Sequence, residues 1–238
     1  MDLKFLGNWS SHIRKGVRNS SIILDDKIVF DFGPHTLESI LERGIDPIAI
    51  EKVLISHMHL DHYLGLVELL WYRGMRKTKE QLTVMGPTGI RETTEKMLEL
   101  VNTPGGGSYE VNVEYIESRN LDFIHAYEGN HIIPDNVYRV EYDNKVIVYT
   151  GDTAYSRNVV RAAGDADVLI HEMTYTDEEK PKADFWKHST YSSVMETFEQ
   201  SGARMLIPTH LTEQTYEQLS GSKKNREAVK LPLSDLTV

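Results

Sequence analysis

The sequence predicts an α/β protein in which sheets and helices are stacked in layers. Three observations carry that prediction. Short apolar, β-branched runs alternate with segments of helical period, most runs stop at glycine, proline or an aspartate turn, and histidine or aspartate recurs where they stop. At 238 residues, one domain over 1–238 has enough chain to bury a sizeable core.

Residues 3–6, 20–24 and 27–32 read as strands, with Asp25-Asp26 turning the chain between the last two. The polar loop over 7–19 carries His12, Arg14, Lys15 and Arg18; it reads as a solvated loop unless its charge meets an anionic substrate. Asp31-Phe32-Gly33-Pro34 ends the third strand, and 36–43 reads as a helix closed by Gly44. Asp31 has two readings, a turn residue or a carboxylate orienting a metal ligand. Residues 52–55 form a compact apolar strand whose carboxyl end carries Ser56-His57-Met58-His59-Leu60-Asp61-His62.

A helix over 63–73 follows, with Leu64, Val67, Leu70 and Trp71 on one face, then a strand at 82–85, a turn at Gly86-Pro87 and a helix over 88–100. Thr103-Pro104-Gly105-Gly106-Gly107-Ser108 reads as a flexible connector, with a lid over the site as the alternative. Strands are expected at 111–116 and 121–127, and a hairpin at 137–142 and 145–149 turning at Asp143-Asn144. Residues 156–163 read as a helix, 167–170 as a strand leading to His171-Glu172, and 191–200 as a helix capped by Ser189 or Thr190. The last apolar strand, 204–207, runs into Pro208-Thr209-His210, and a polar tail reads as a surface helix plus an extended end.

Composition narrows the function classes. With no cysteine, disulfides and thiolate ligands are excluded, so any metal is held by nitrogen and oxygen. The first residues show no basic segment followed by an apolar run, and no window is long and apolar enough to span a bilayer, so the expectation is a cytoplasmic protein without membrane partners. A formal charge of -10 argues against a broad nucleic-acid-binding face.

The motif His57-x-His59-x-Asp61-His62 suits a borderline divalent ion, and one short loop of this kind can serve two. His131, Asp152 in Gly151-Asp152-Thr153, and His210 each fall at or just beyond a strand end, and in a layered α/β protein such ends share a rim. The expected distribution places His57, His59 and His131 on one ion and Asp61, His62 and His210 on a second, with Asp152 and a water bridging. Two such ions lower the pKa of the water and stabilise charge on attacking and leaving oxygens. Hydroxide is then the nucleophile, Asp61 orients it, His188 protonates the leaving group and Glu172 orients His188. His171 reads as packing and His125 as a satisfied core or surface histidine.

Taken in order, His57-x-His59-x-Asp61-His62, His131, Gly151-Asp152-Thr153 and Pro208-Thr209-His210 resemble the motif set of the metallo-β-lactamase superfamily. The resemblance implies an αββα sandwich, two mixed sheets flanked by helices, with a dinuclear zinc site (manganese or iron being alternatives) at one edge. Arg18-Asn19-Ser20-Ser21-Ile22-Ile23-Leu24, His171-Glu172-Met173-Thr174 and His188-Ser189-Thr190 resemble motifs of its ribonuclease Z-like branch, which carries the proton-donor reading onto Glu172 and His188. It implies phosphodiester cleavage rather than β-lactam opening.

Two departures bear on the substrate. The branch inserts a long tRNA-gripping arm between the positions of His131 and Asp152, where this chain has only residues 132–151, and Gly7-Asn8-Trp9-Ser10 replaces the usual amino-terminal loop. The expected substrate is therefore a small-molecule or short phosphodiester, as in the compact cyclic-phosphate phosphodiesterases of the branch. Hydrolysis of a lactone or carboxylic ester is one alternative. A tRNA 3′-processing endoribonuclease or RNA-binding subunit is another, supported by Lys223, Lys224, Arg226 and Lys230 but opposed by the missing arm and acidic charge. A homo-oligomer is left open.

Overall fold

The computed structural model describes residues 1–101, 111–117, 120–221, 228–230 and 235–238. The glycine-rich connector and Lys223, Lys224 and Arg226 lie outside them. Among the described residues the chain forms β1 (Asp2–Gly7), β2 (Ser21–Leu24), β3 (Ile28–Phe30), α1 (Thr36–Glu42), β4 (Lys52–Leu54), α2 (Leu60–Met75), β5 (Leu82–Met85), α3 (Ile90–Val101) and β6 (Val113–Ile116). Then come β7 (Asn120–Leu121), β8 (Ile124–Glu128), β9 (Asn136–Tyr142), β10 (Lys145–Tyr149), α4 (Arg157–Ala162), β11 (Val168–Glu172), α5 (Lys180–Trp186), α6 (Tyr191–Ser201), β12 (Leu206–Thr209), α7 (Glu213–Gly221) and β13 (Leu236–Thr237).

The strands make two mixed sheets, ordered β13-β1-β2-β3-β4-β5-β6 and β12-β11-β10-β9-β8-β7. Strands β3 to β6 run parallel, as do β10 to β12, and the remaining pairs are antiparallel. Alternate side chains along a strand face opposite sides, and the core divides accordingly. Ile22, Leu24, Phe30 and Leu54 of one sheet pack against Tyr138, Val140, Ile147 and Ile170 of the other. On the outer face of the first sheet, Ile23, Val29 and Val53 meet Leu37 of α1 and Leu66, Leu69 and Leu70 of α2. Val148, Leu169 and Leu206 meet α4 and α6 through Val159, Ala162 and Val194. The layers are therefore helix, sheet, sheet, helix, the expected αββα sandwich.

Several elements differ from their expected form. The strand expected at 121–127 is a hairpin, because Asp122 takes a left-handed φ of 50° and pairs Leu121 with Ile124. The apolar neighbours Leu121 and Phe123 hide that turn from a pattern reading. Helix α5, with proline in its first turn, and β13 carry no periodic signal of their own. Helix α2 begins at Leu60, so Asp61 and His62 occupy its first turn.

The start of α2 is held close to the end of β3. Phe32 N–H donates to the His62 carbonyl at 2.7 Å, and a Cβ on Gly65 would lie 2.2 Å from the Gly33 carbonyl oxygen. Only glycine at 65 permits this approach, which sets the height of the histidine-bearing turn above the sheet.

Candidate metal centre

The carboxyl ends of the parallel strands meet at one edge of the sandwich. From the first sheet, β4 leads into Ser56, His57 and His59, and α2 adds Asp61 and His62. From the second, β8 is followed by His131, β10 by Asp152, and β12 by His210, while β11 ends on Glu172. Gly151, at φ 58°, lets this turn pass close to Ser56, since a Cβ there would lie 2.4 Å from the Ser56 Cβ.

Every sequence-predicted ligand arrives in this cluster. His57, His59, His131 and Asp152 form one group, Asp61, His62 and His210 a second, and Asp152, His188 and His210 a third, with the potential ligand atoms of each group within 4.8 Å of one another. His59 Nδ1 lies 2.9 Å from His57 Nε2 and 3.2 Å from His131 Nε2. Asp152 reaches both sides, with Oδ2 3.7 Å from His57 Nε2 and Oδ1 3.3 Å from His62 Nε2 and 3.4 Å from His210 Nε2. Asp61 Oδ2 stands 3.2 Å from His210 Nε2 and 3.5 Å from His62 Nε2.

The residues fit divalent ions. His62 Nε2 and Asp152 Oδ1 are buried and have no hydrogen-bond partner, although they face each other across the cluster. Buried polar atoms are rarely orphaned, and two aimed at one spot suit a cation. Nitrogen ligands about 2.0–2.1 Å from zinc in a tetrahedral site stand ~3.3 Å apart, close to the observed separations.

The opposite ring nitrogens are mostly anchored, which fixes the orientation of each ring. Ser56 Oγ is 3.0 Å from His57 Nδ1, Asp31 Oδ2 is 2.7 Å from His62 Nδ1, the Lys187 carbonyl is 3.1 Å from His131 Nδ1, and Thr174 Oγ1 is 2.8 Å from His210 Nδ1. His12 and His35 are exposed and His125 meets Asn120, so none of the three joins the cluster. His171 is buried, with Nδ1 2.8 Å from the Glu172 carbonyl.

Electrostatics separates the histidines. Burial holds His57 well below its ordinary pKa and lowers His59 and His131, so all three are neutral donors near neutrality. Burial also opposes charge on His62, but Asp152 and Asp31 outweigh it and raise the group well above its usual range. Burial opposes charge on Asp61, but the hydrogen bond to His210 and the nearby His62 imidazole overcome it and hold the carboxyl far below the usual carboxylate range. Asp152 is likewise held low against burial by His210, His62 and His188.

Beside the cluster, His188 Nδ1 lies 2.8 Å from Glu172 Oε1, and its ring stacks on His210 with centroids 5.6 Å apart. Burial works against a charged His188, yet Glu172 and Asp152 prevail and push it up to about 9. Glu172 is fully buried and also accepts from Thr153 N, Thr174 N and Thr174 Oγ1 at 3.0, 3.0 and 2.7 Å. The pattern reading gave no role to Ser56, Tyr149 or Thr174. Ser56 is signalled only by preceding His57 and Thr174 by closing the His171-Glu172-Met173-Thr174 motif, while Tyr149 carries no signal in the sequence.

Two of the cations of the amino-terminal loop are ion-paired. Arg14 pairs with Glu213, and Arg18 pairs with Glu42 at 2.9 Å.

Fold and site together define a hydrolase of the divalent-metal-dependent, two-sheet sandwich class. The chain belongs to the beta-lactamase superfamily, whose domain matches residues 27–211. It is 30% identical to ribonuclease Z of Bacillus thuringiensis (strain Al Hakam), over 92% of each chain. Its fold resembles human tRNase Z, short form, with a TM-score of 0.75 at 23% identity over 90% of this chain and 94% of that one. It also resembles a diphosphatase from the PhnP family, with a TM-score of 0.77 at 15% identity over 100% and 97%. Among the described residues no helix is long and apolar enough to cross a membrane.

Proposed function

We propose that residues 1–238 are one hydrolase domain that cleaves phosphodiesters with two divalent ions, zinc by the nitrogen and oxygen donor set, with manganese or iron as alternatives. His57, His59 and His131 would hold one ion and Asp61, His62 and His210 the other, with Asp152 between them. When bound, the ions supply Lewis acidity at phosphorus and a water acidified toward neutrality. The observation that carries the reading is His188, its Nδ1 engaged by Glu172 and its ring against His210, beside the converging ligands.

In that arrangement the ionised Asp61 accepts a hydrogen bond from the attacking water and aligns it. Glu172 keeps His188 protonated at Nδ1 and turned so that Nε2 meets the leaving-group oxygen, to which it gives its proton. Thr174 ties Glu172 to His210, so acid and ligand move as a unit.

A small-molecule or short phosphodiester in the cytoplasm is the favoured substrate. The β9–β10 hairpin occupies residues 136–149, and the 285-residue alignment with the Bacillus ribonuclease Z is longer than this chain, so that relative has segments without a counterpart here. The same relative is what favours a second reading, tRNA 3′-processing. The test is metal analysis joined to turnover of bis(p-nitrophenyl) phosphate, a lactone panel and precursor tRNA. Two ions per chain and diester turnover abolished in His59→Ala are expected. No rate above that control, or a lactone turned over faster than every diester, overturns the proposal.

A further inference from the structure

His210, the last of the converging histidines along the chain, directly follows β12 and takes a left-handed φ of 53°, a conformation that a residue with a side chain keeps only where its surroundings hold it. The hold comes from the opposite sheet. Ser20, directly before β2, accepts the His210 N–H at Oγ at 2.9 Å across 190 positions of chain, and the same Oγ stands 3.1 Å from Thr209 Oγ1. Leu211 is tied on both sides as well, its N–H donating to the Asn8 carbonyl at 3.0 Å and its carbonyl accepting from the Ser10 N–H at 2.9 Å.

Ser20 is itself anchored. It is buried, its N–H donates to the Trp9 carbonyl at 2.9 Å, and its hydroxyl reaches the same carbonyl at 3.4 Å. Trp9, also buried, bridges Asn19 and Leu211, and Asn19 Nδ2 donates to the Ser10 carbonyl at 3.0 Å. The two ends of the amino-terminal loop, 7–19, meet where a Cβ on Gly7 would lie 2.0 Å from the Asn19 carbonyl oxygen. Arg14 carries the contact on to α7 by pairing with Glu213. A loop whose composition suggests a solvated polar segment is therefore packed against both residues that follow β12.

The backbone and the ring of His210 are held by separate residues, since Thr174 Oγ1 meets Nδ1 at 2.8 Å while Ser20 takes the N–H. His210 is 3% exposed, so without the Ser20 hydroxyl its N–H loses its acceptor where water does not replace it. We propose that Ser20 is a positioning residue for the second ion, keeping the left-handed turn that places His210 Nε2 beside Asp61 and Asp152, and that the amino-terminal loop is the brace that seats Ser20. The inference rests on the two-ion reading above and adds the element that secures one of its sites.

Zinc titration of Ser20→Ala against a chromogenic chelator should show one of two ions weakened about 10–100-fold and the other bound as in wild type. Ser20→Thr, which keeps the hydroxyl, should restore wild-type binding. His210→Ala should weaken the same ion, and adding S20A to it should cost little more, because two residues acting through one contact are not additive. In the metal-free protein, amide hydrogen exchange at His210 should quicken about ten-fold or more in S20A and stay slow in S20T. Ser201→Ala is the control for stability alone. It removes a buried hydroxyl of α6 that meets the Phe198 carbonyl and the Ala203 N–H, and should lower the melting temperature while leaving both zinc affinities and His210 exchange unchanged.

Both ions bound by S20A as by wild type, or both weakened equally, overturns the inference, as does a fully additive loss in S20A/H210A. If wild type binds fewer than two ions or turns over no diester, the two-ion phosphodiesterase reading falls. His210 exchange then decides the brace by itself: unchanged protection in S20A overturns it, and faster exchange upholds it.

Discussion

The Asp31 carboxylate and the His62 imidazole meet at 2.7 Å in the buried wall between the two sheets. The same Asp31 Oδ2 accepts from Ser56 Oγ and Tyr149 OH, both at 2.7 Å, while Oδ1 accepts from Ser56 N at 2.6 Å. One carboxylate therefore orients a histidine of the candidate metal centre, pins the loop that carries His57, and takes a hydroxyl from the opposite sheet. Replacing it with asparagine keeps the shape and tolerates the left-handed φ of 54°. Asp31→Asn is expected to weaken metal binding roughly 10–100-fold, read by competition with a chromogenic chelator. Unchanged affinity would remove the orienting role.

His188 is expected to act as an acid, so its effect depends on the leaving group. His188→Ala should lower kcat about 10²–10⁴-fold for a diester with an alkoxide leaving group and much less for p-nitrophenolate, which departs without a proton. Metal content should stay constant in both assays. Equal losses for the two substrates would argue against proton donation.

The pH profile follows from the pair with Glu172. His188 titrates at about 9, so the protonated acid is present below that pH and lost above it, and kcat for an unactivated diester should fall on an alkaline limb near 9. Glu172→Gln removes the leading cause that raises it, so the limb should move to lower pH. A limb that stays in place in this variant would point to a different group.

Metal removal should lower the melting temperature, because ions bind the folded cluster and not the dispersed ligands of the unfolded chain. At free metal about 100 times Kd the stabilisation is ~2.7 kcal/mol, measurable by calorimetry with and without chelator. His62 is held protonated by Asp152 and Asp31 in the metal-free protein, so binding at its Nε2 should release a proton, seen as a buffer-dependent heat.

Gly65→Ala tests the seating of α2 on the end of β3. The new Cβ would lie 2.2 Å from the Gly33 carbonyl oxygen, so backbone must shift, at an expected cost of about 1–3 kcal/mol in urea unfolding. Because Asp61 and His62 ride on that turn, metal affinity should fall with it.

The residues that converge on the candidate metal centre were legible in the sequence, because His57, His59, Asp61 and His62 are close in the chain and His131, Asp152 and His210 mark strand ends that local composition reveals. The sequence also determined most strands and helices, whose period is a local property. The partners around those residues were not legible, because they depend on which elements pack together. Tyr149 reaches Asp31 across 118 positions of chain and Thr174 reaches His210 across 36, distances over which alternation tells which way a side chain points but not what faces it. Asp31 illustrates the boundary: as a strand-end aspartate it admits two readings, and what chooses between them is that the loop after β4 and the start of α2 bring Ser56 and His62 to it while the packing of the second sheet brings Tyr149.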